Sequence, residues 1–160
     1  MSDLRIGTGY DAHAFADGVP LVLGGVALEY PRGLAGHSDG DVLAHALIDA
    51  LLGAANLGDI GSLFPSGDEQ YRGASSLDLL WEAYREVRDA GYELVNADCV
   101  LVGEEPRIGD VRAEMQGRLA AALGLDPGRV TVRATTTDGL GFTGRGEGLA
   151  AHAVALLRRM

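Results

Sequence analysis

Residues 37–45 read HSDGDVLAH, a run of small and acidic residues that opens onto an apolar stretch. Ser38 can cap free backbone N–H groups at a helix start, and Asp41, three residues on, can answer it reciprocally. Beyond it Val42, Leu43, Ala46, Leu47, Ala50, Leu51 and Ala54 recur at helical spacing. His45 therefore falls inside a helix and His37 just before it. Eight helical residues rise roughly 12 Å, whereas each ligand of a zinc ion must stand about 2 Å from it. The two histidines need different jobs.

Strands and helices alternate on either side of this stretch. Strands are predicted at 3–9, at 20–26 (PLVLGGV), at 93–103 (ELVNADCVLVG) and at 129–137 (RVTVRATTT), all rich in β-branched residues or alternating in polarity. Further helices are predicted for SSLDLLWEAYREVRDAG (75–91), with serine caps and Gly91 as a stop, and for GDVRAEMQGRLAAALG (109–124), which ends at Gly124. A last helix is predicted for EGLAAHAVALLRR (147–159). The expected fold class is α/β (α+β): a single domain over residues 1–160, built as a two-layer sandwich with helices packed on one face of a mixed sheet.

The 160 residues suit one domain, and 47% apolar content is enough for a real core. No apolar run is long enough to span a membrane, and MSDLRIGTGY lacks the features of a signal peptide, so a cytoplasmic location is expected. The net charge is −10, and all 13 basic residues are arginine. An acidic chain without a basic stretch does not suit nucleic acid. An anionic ligand must be held by local arginines, backbone N–H groups or a metal, which favours a small phosphorylated molecule. The lone Cys99, in an apolar run, excludes an internal disulfide and reads as a buried structural thiol.

The segment GYDAH (9–13) offers partners for His45. In an extended strand residues two apart project to the same side, so Asp11 and His13 can grip one ion together. With His45 they make a zinc-type set that leaves one position open, as catalytic sites do. The competing readings are a strand-end hydrogen bond for the pair and a core or surface residue for His45. Asp41 and Asp49 flank His45 at i−4 and i+4, where either could hold its other ring nitrogen; otherwise they are a cap and a solvated face. The glycine-rich GLGFTGRGEG (139–148) reads either as a flexible loop or as a phosphate cradle opening onto a helix.

Four stretches, GYDAH, SDGDVLAHALIDA (38–50), LGDIGSLFP (57–65) and ATTTDGLGFTGRGEG (134–148), together resemble the 2-C-methyl-D-erythritol 2,4-cyclodiphosphate synthase family. The resemblance covers nearly the whole chain. It implies a homotrimer with active sites between neighbouring subunits. The reaction implied converts 4-diphosphocytidyl-2-C-methyl-D-erythritol 2-phosphate into the cyclic diphosphate and CMP. Asp11, His13 and His45 become zinc ligands, the first two also touching substrate. His37 and Thr136 become the catalytic groups on phosphate oxygens, with Ser38 at the methylerythritol end.

The same resemblance assigns Asp59, Ile60 and Gly61 to the cytidine ribose of a neighbouring subunit, and Phe64, Ser66 and Asp68 to the surroundings of the methylerythritol. Ser66 stands where an acidic residue often follows Phe-Pro, which weakens a contact to the hydroxyls. Gly103, Pro106, Arg107 and Ile108, with Thr135 and Thr136, become the cytosine and diphosphate pocket. Asp138, where glutamate is usual, becomes the ligand of Mg²⁺ or Mn²⁺ between the phosphates, its shorter side chain calling for a bridging water. Phe142 and Arg145 fall in a region associated with an apolar cavity on the trimer axis that takes isoprenoid diphosphates, although His152 departs from the acidic residue common there. Arg107 and Arg133 stand where lysine is common. Two rival functions are a zinc-dependent nucleoside diphosphate phosphodiesterase and a non-catalytic trimer that binds isoprenoid diphosphates.

Overall fold

A computed structural model describes residues 3–160. In chain order the elements are β1 (Leu4–Asp17), β2 (Leu21–Leu23), β3 (Val26–Leu28), β4 (Arg32–Leu34), α1 (Val42–Ala54), α2 (Ile60–Leu63), α3 (Ser76–Asp89), β5 (Tyr92–Val102), α4 (Arg112–Leu123), β6 (Val130–Thr135), α5 (Gly141–Gly144) and β7 (Gly148–Arg159). Five strands form one sheet in the order β4, β1, β7, β5, β6, with β5 and β6 parallel and every other pair antiparallel. The expected mixed sheet with packed helices is therefore present.

The chain's last element departs from the sequence reading. Residues 147–159 were expected to be helical, because alanine and leucine favour helices and recur at compatible spacing. They form β7 instead, the central strand, paired with β1 on one side and β5 on the other. From residue 151 the burial alternates: Ala151, Ala153, Ala155 and Leu157 point into the core, while His152, Val154 and Arg158 point out. Two ladders of backbone hydrogen bonds, the one with β5 interrupted only by an irregularity at Val95, outweigh a propensity difference of a few tenths of a kcal/mol per residue. The glycine-rich segment before β7 consequently opens onto a strand, so the helix N-terminus expected there for phosphate is absent.

The small residues on the inner face of the sheet let α1 lie close to it. Gly7 and Gly9 of β1 sit opposite Ala155 and Ala153 of β7. A Cβ on Gly9 would stand 1.9 Å from the Ala46 carbonyl oxygen, and one on Gly7 would stand 2.1 Å from that of Ala50. The helix thus runs antiparallel to β1, with Ala54 near Gly7 and Ala46 near Gly9. Continuing along the same face by twos leads to Asp11 and His13 at the level of the helix's first turn, which carries His45.

The local entry to α1 also differs from the sequence reading. Asp41, not Ser38, is the N-cap, and its carboxylate accepts from the Ala44 amide at 3.2 Å. It also accepts from the Gly24 and Gly25 amides at 2.9 and 2.8 Å. Those two glycines turn PLVLGGV into the hairpin β2–β3 rather than one strand, with φ of 57° and 76°. Asp41 is fully buried, and burial pushes its carboxyl up to about 6 against the opposing effect of these hydrogen bonds. Cys99 is buried as expected, and burial pushes its thiol up to about 12.

α1, α3 and α4 cover the inner face of the sheet, where the core lies. Among the described residues no helix covers the outer face in this way, and it is partly apolar: Ile6 is 71% exposed and Tyr10 58%. His152 lies on that face, edge-on to Tyr10. Among the described residues no helix is long and apolar enough to cross a membrane.

Candidate active site and metal centre

Asp11, His13 and His45 converge where β1 meets α1, and one ligand atom from each lies within 4.8 Å of the others. Asp11 Oδ2 is 2.9 Å from His13 Nε2 and 3.1 Å from His45 Nδ1. The rings meet edge to face, their centroids 5.5 Å apart. Geometry thus joins a strand pair and a helical residue that are far apart in the sequence.

Protons decide what this cluster can hold. His13 Nδ1 lies 2.5 Å from the Ala35 carbonyl oxygen, which only accepts, so Nδ1 carries the hydrogen and a neutral ring leaves a lone pair on Nε2. That lone pair faces the Asp11 carboxylate at 2.9 Å, and this buried atom has no hydrogen-bond partner among the described residues. Two acceptors pressed together call for a cation between them. One carboxylate oxygen and two imidazole nitrogens suit a divalent metal of the zinc type.

The charges describe the other state, in which the imidazoles carry protons. Burial opposes ionisation of Asp11, but hydrogen bonds and charge from protonated His13 and His45 outweigh burial and hold the carboxyl at about 2. The Asp11 carboxylate in turn holds His13 above its usual 6.5, against burial. Because Asp11 stays ionised, the proton that competes with a metal is the one on an imidazole. Zinc affinity is therefore expected to climb about tenfold or more per pH unit below the His13 pKa and to level off above it. A competition titration from about pH 5.5 to pH 8 measures this. A flat profile would rule out imidazole ligation.

A cavity of about 420 Å³ opens beside the three ligands, lined also by His37, Ser38, Ile60, Gly61, Phe64 and Ser66. Asp59 is the N-cap of α2 and accepts from the Ser62 amide at 2.8 Å. Tyr71, edge-on to Phe64 at 5.2 Å, and Leu79 of α3 also line the cavity. Sequence reasoning missed both; an aromatic after a loop and a leucine in an amphipathic helix carry no mark of a site. His37 Nε2 lies 2.9 Å from the Asp68 carbonyl oxygen, which fastens the loop over the cavity to the residue before α1. The Asp68 carboxylate itself turns to Gln70.

Asp41 and Asp49 do not hold the free nitrogen of His45. Asp41 is occupied by the three amides, and Asp49 accepts from the Ile60 amide at 2.7 Å. His45 Nε2 instead lies 2.8 Å from Ser76 Oγ and 3.0 Å from Ser38 Oγ.

The remaining predicted residues lie elsewhere. A second cavity, of about 450 Å³, is lined by Gly103, Pro106, Arg107, Ile108, Thr135 and Thr136 at the ends of β5 and β6. It shares no lining residue with the first, so His37 and Thr136 face different cavities of one chain. Asp138 has φ of 54° and pairs with the Thr136 hydroxyl rather than joining the three ligands. Arg133 is bound by two hydrogen bonds to Asp98 across β5 and β6. Phe142 is 38% exposed on the short α5, and Arg145 pairs with Glu147 at 2.6 Å.

The sheet, its helices and a cavity with three converging ligand side chains place the chain among small α/β enzymes. The YgbB family profile matches residues 4–158. A 2-C-methyl-D-erythritol 2,4-cyclodiphosphate synthase of Moorella thermoacetica is 59% identical over 154 residues, which cover 96% of this chain and 94% of that protein. One of Rubrobacter xylanophilus is 57% identical, with 99% and 98% covered. Among solved structures, the Plasmodium falciparum IspF complex with CDP has a TM-score of 0.85 at 30% identity, with 98% and 96% covered. The bifunctional IspDF of Campylobacter jejuni has a TM-score of 0.96 at 45% identity; it contains all of this chain, which spans 43% of its length. The chain belongs to the YgbB family, the 2-C-methyl-D-erythritol 2,4-cyclodiphosphate synthases.

Proposed function

We propose that this enzyme converts 4-diphosphocytidyl-2-C-methyl-D-erythritol 2-phosphate into the cyclic 2,4-diphosphate and CMP, a lyase-type reaction in which the substrate's own 2-phosphate is the nucleophile. The observation that carries the metal-dependent part is the unpartnered His13 Nε2 facing Asp11 beside an open cavity. Asp11, His13 and His45 would hold a zinc ion, which supplies positive charge to a phosphate oxygen when bound. No side chain need act as nucleophile. The chain's task is to place the two phosphates in line and to meet their charge with donors.

His37 and Ser38, on the wall of the metal cavity, would donate to phosphate oxygens and to the methylerythritol end. Asp59, Ile60, Gly61, Phe64, Ser66 and Asp68 build the rest of that wall or lie beside it. The second cavity fits a cytidine diphosphate through Gly103, Pro106, Arg107, Ile108, Thr135 and Thr136. That related proteins were solved with CDP bound supports a cytidine nucleotide as the ligand class. Asp138, beside Thr136, is the candidate ligand for Mg²⁺ or Mn²⁺ on the diphosphate.

Two cavities without a common residue fit an active site completed by a second subunit. The open outer sheet face, with Ile6 and Tyr10, fits a homotrimer around a common axis. Phe142 and Arg145 are the candidates for an isoprenoid diphosphate on that axis. A cytoplasmic location fits such an enzyme.

Mass spectrometry of the products tests the reading, with purified protein, the cytidylyl substrate, Mg²⁺ and zinc, beside a zinc-stripped control. Zinc-dependent release of CMP with a cyclic, water-free diphosphate is expected. A linear product one water heavier would make the protein a phosphodiesterase, and no CMP at all would make it a binding protein.

A further inference from the structure

Ser76 is fully buried at the start of α3 and takes no part in the reaction described above. Its surroundings are polar and ordered. The Asp39 carboxylate accepts from the Ser76 amide at 3.0 Å and from the Ser76 hydroxyl in a short contact. Asp39 also accepts from the Asp41 amide at 3.1 Å, so it ties the loop before α1 to the head of α3. Ser75, the residue before α3, makes no side-chain cap, and Asp39 supplies it from another segment.

An ionised carboxylate only accepts, so the single hydroxyl hydrogen of Ser76 is committed to Asp39. Ser76 Oγ, 2.8 Å from His45 Nε2, is then left with lone pairs alone, and the hydrogen between them must come from His45. A neutral imidazole with its hydrogen on Nε2 carries its lone pair on Nδ1, the atom that faces Asp11 Oδ2 at 3.1 Å. Ser38 Oγ, 3.0 Å from the same Nε2, cannot decide the matter, because its hydrogen is free to turn either way.

We propose that Ser76, held by Asp39, is a positioning residue of the metal centre, fixing the tautomer of His45 so that Nδ1 presents a lone pair to the metal. This rests on the reading of Asp11, His13 and His45 as a metal site. Without the relay, Ser38 can donate to Nε2, and His45 can turn its hydrogen toward Asp11. That hydrogen bond occupies the two atoms a metal needs. Outer-shell partners of this kind change metal affinity by about 10–100-fold.

The test reads the imidazole directly. Two-bond ¹H–¹⁵N correlation spectra of metal-free, ¹⁵N-labelled wild type at about pH 9, where imidazoles are neutral, report which nitrogen of His45 carries the hydrogen. The Nε2–H form is expected. Ser76→Ala is expected to admit the Nδ1–H form and to weaken zinc binding about 10–100-fold in a chelator competition, whereas Ser38→Ala should leave the tautomer as it is. An Nδ1–H wild type overturns the relay without need of any variant. So does a Ser76→Ala protein that loses only thermal stability, with tautomer and zinc affinity unchanged. A wild type that shows Nε2–H but takes up no zinc overturns the metal reading itself, and the relay's purpose with it.

Discussion

His45→Ala is expected to stop CMP release, by on the order of 10³-fold or more, while the chain stays folded. The side chain reaches out of α1 into the cavity, where it touches Asp11, Ser38 and Ser76 rather than the apolar core. The helix keeps its cap at Asp41 and its seat on Gly7 and Gly9. Losing one of three ligands leaves Asp11 and His13 facing each other with no third group to complete a site. His13→Ala should behave alike. CMP release measured by chromatography, beside far-ultraviolet circular dichroism and zinc content, separates the outcomes. Turnover near that of the wild type would remove His45 from the mechanism; loss of the folded spectrum in both variants would make the site structural.

Gly9→Ala should do the opposite, disrupting the fold first and the site second. The added methyl would lie 1.9 Å from the Ala46 carbonyl oxygen and 2.9 Å from the Ala50 nitrogen, both backbone atoms that no rotamer change can move. Either α1 withdraws from the sheet or β1 bends, and a loss of about 3 kcal/mol or more is expected. Asp11 follows two residues later on the same face, so zinc affinity should fall as well. Gly117→Ala is the counterpart: it lies within α4 with open space around it and should gain about 0.5–1 kcal/mol. Urea unfolding of the two variants measures the contrast. A Gly9→Ala protein within about 1 kcal/mol of wild type would show that the helix is not seated as described.

Much of this architecture was legible in the sequence where periodicity is strong. The spacing of Val42 to Ala54 gave α1, and the amphipathic run from Leu77 to Val87 gave α3. The pair Asp11 and His13 was legible because residues two apart on a strand share a face. Its joining to His45 also needed the register of α1 on β1, which is set by Gly7 and Gly9 and leaves no periodic signal. β7 was read wrongly because AAHAVALL satisfies a helical and an alternating pattern at once. Its two hydrogen-bonding neighbours, far off in the sequence, decided between them. Ser76 was seen only as a cap. Its role depends on Asp39, 37 residues away in the chain, and a distance of that kind is invisible until the fold closes.

The position of β7 sets the order in which the molecule can be made. Its partners are β1, from the beginning of the chain, and β5, from the middle, and Leu4 pairs with Arg158. During synthesis every proposed ligand and substrate-binding residue leaves the ribosome before the strand that joins the sheet's two halves. Until then β4 with β1 and β5 with β6 are separate pieces with open edges, and the surface that seats α1 is only half built. The nascent chain therefore carries the chemistry of the site well before it can hold the geometry.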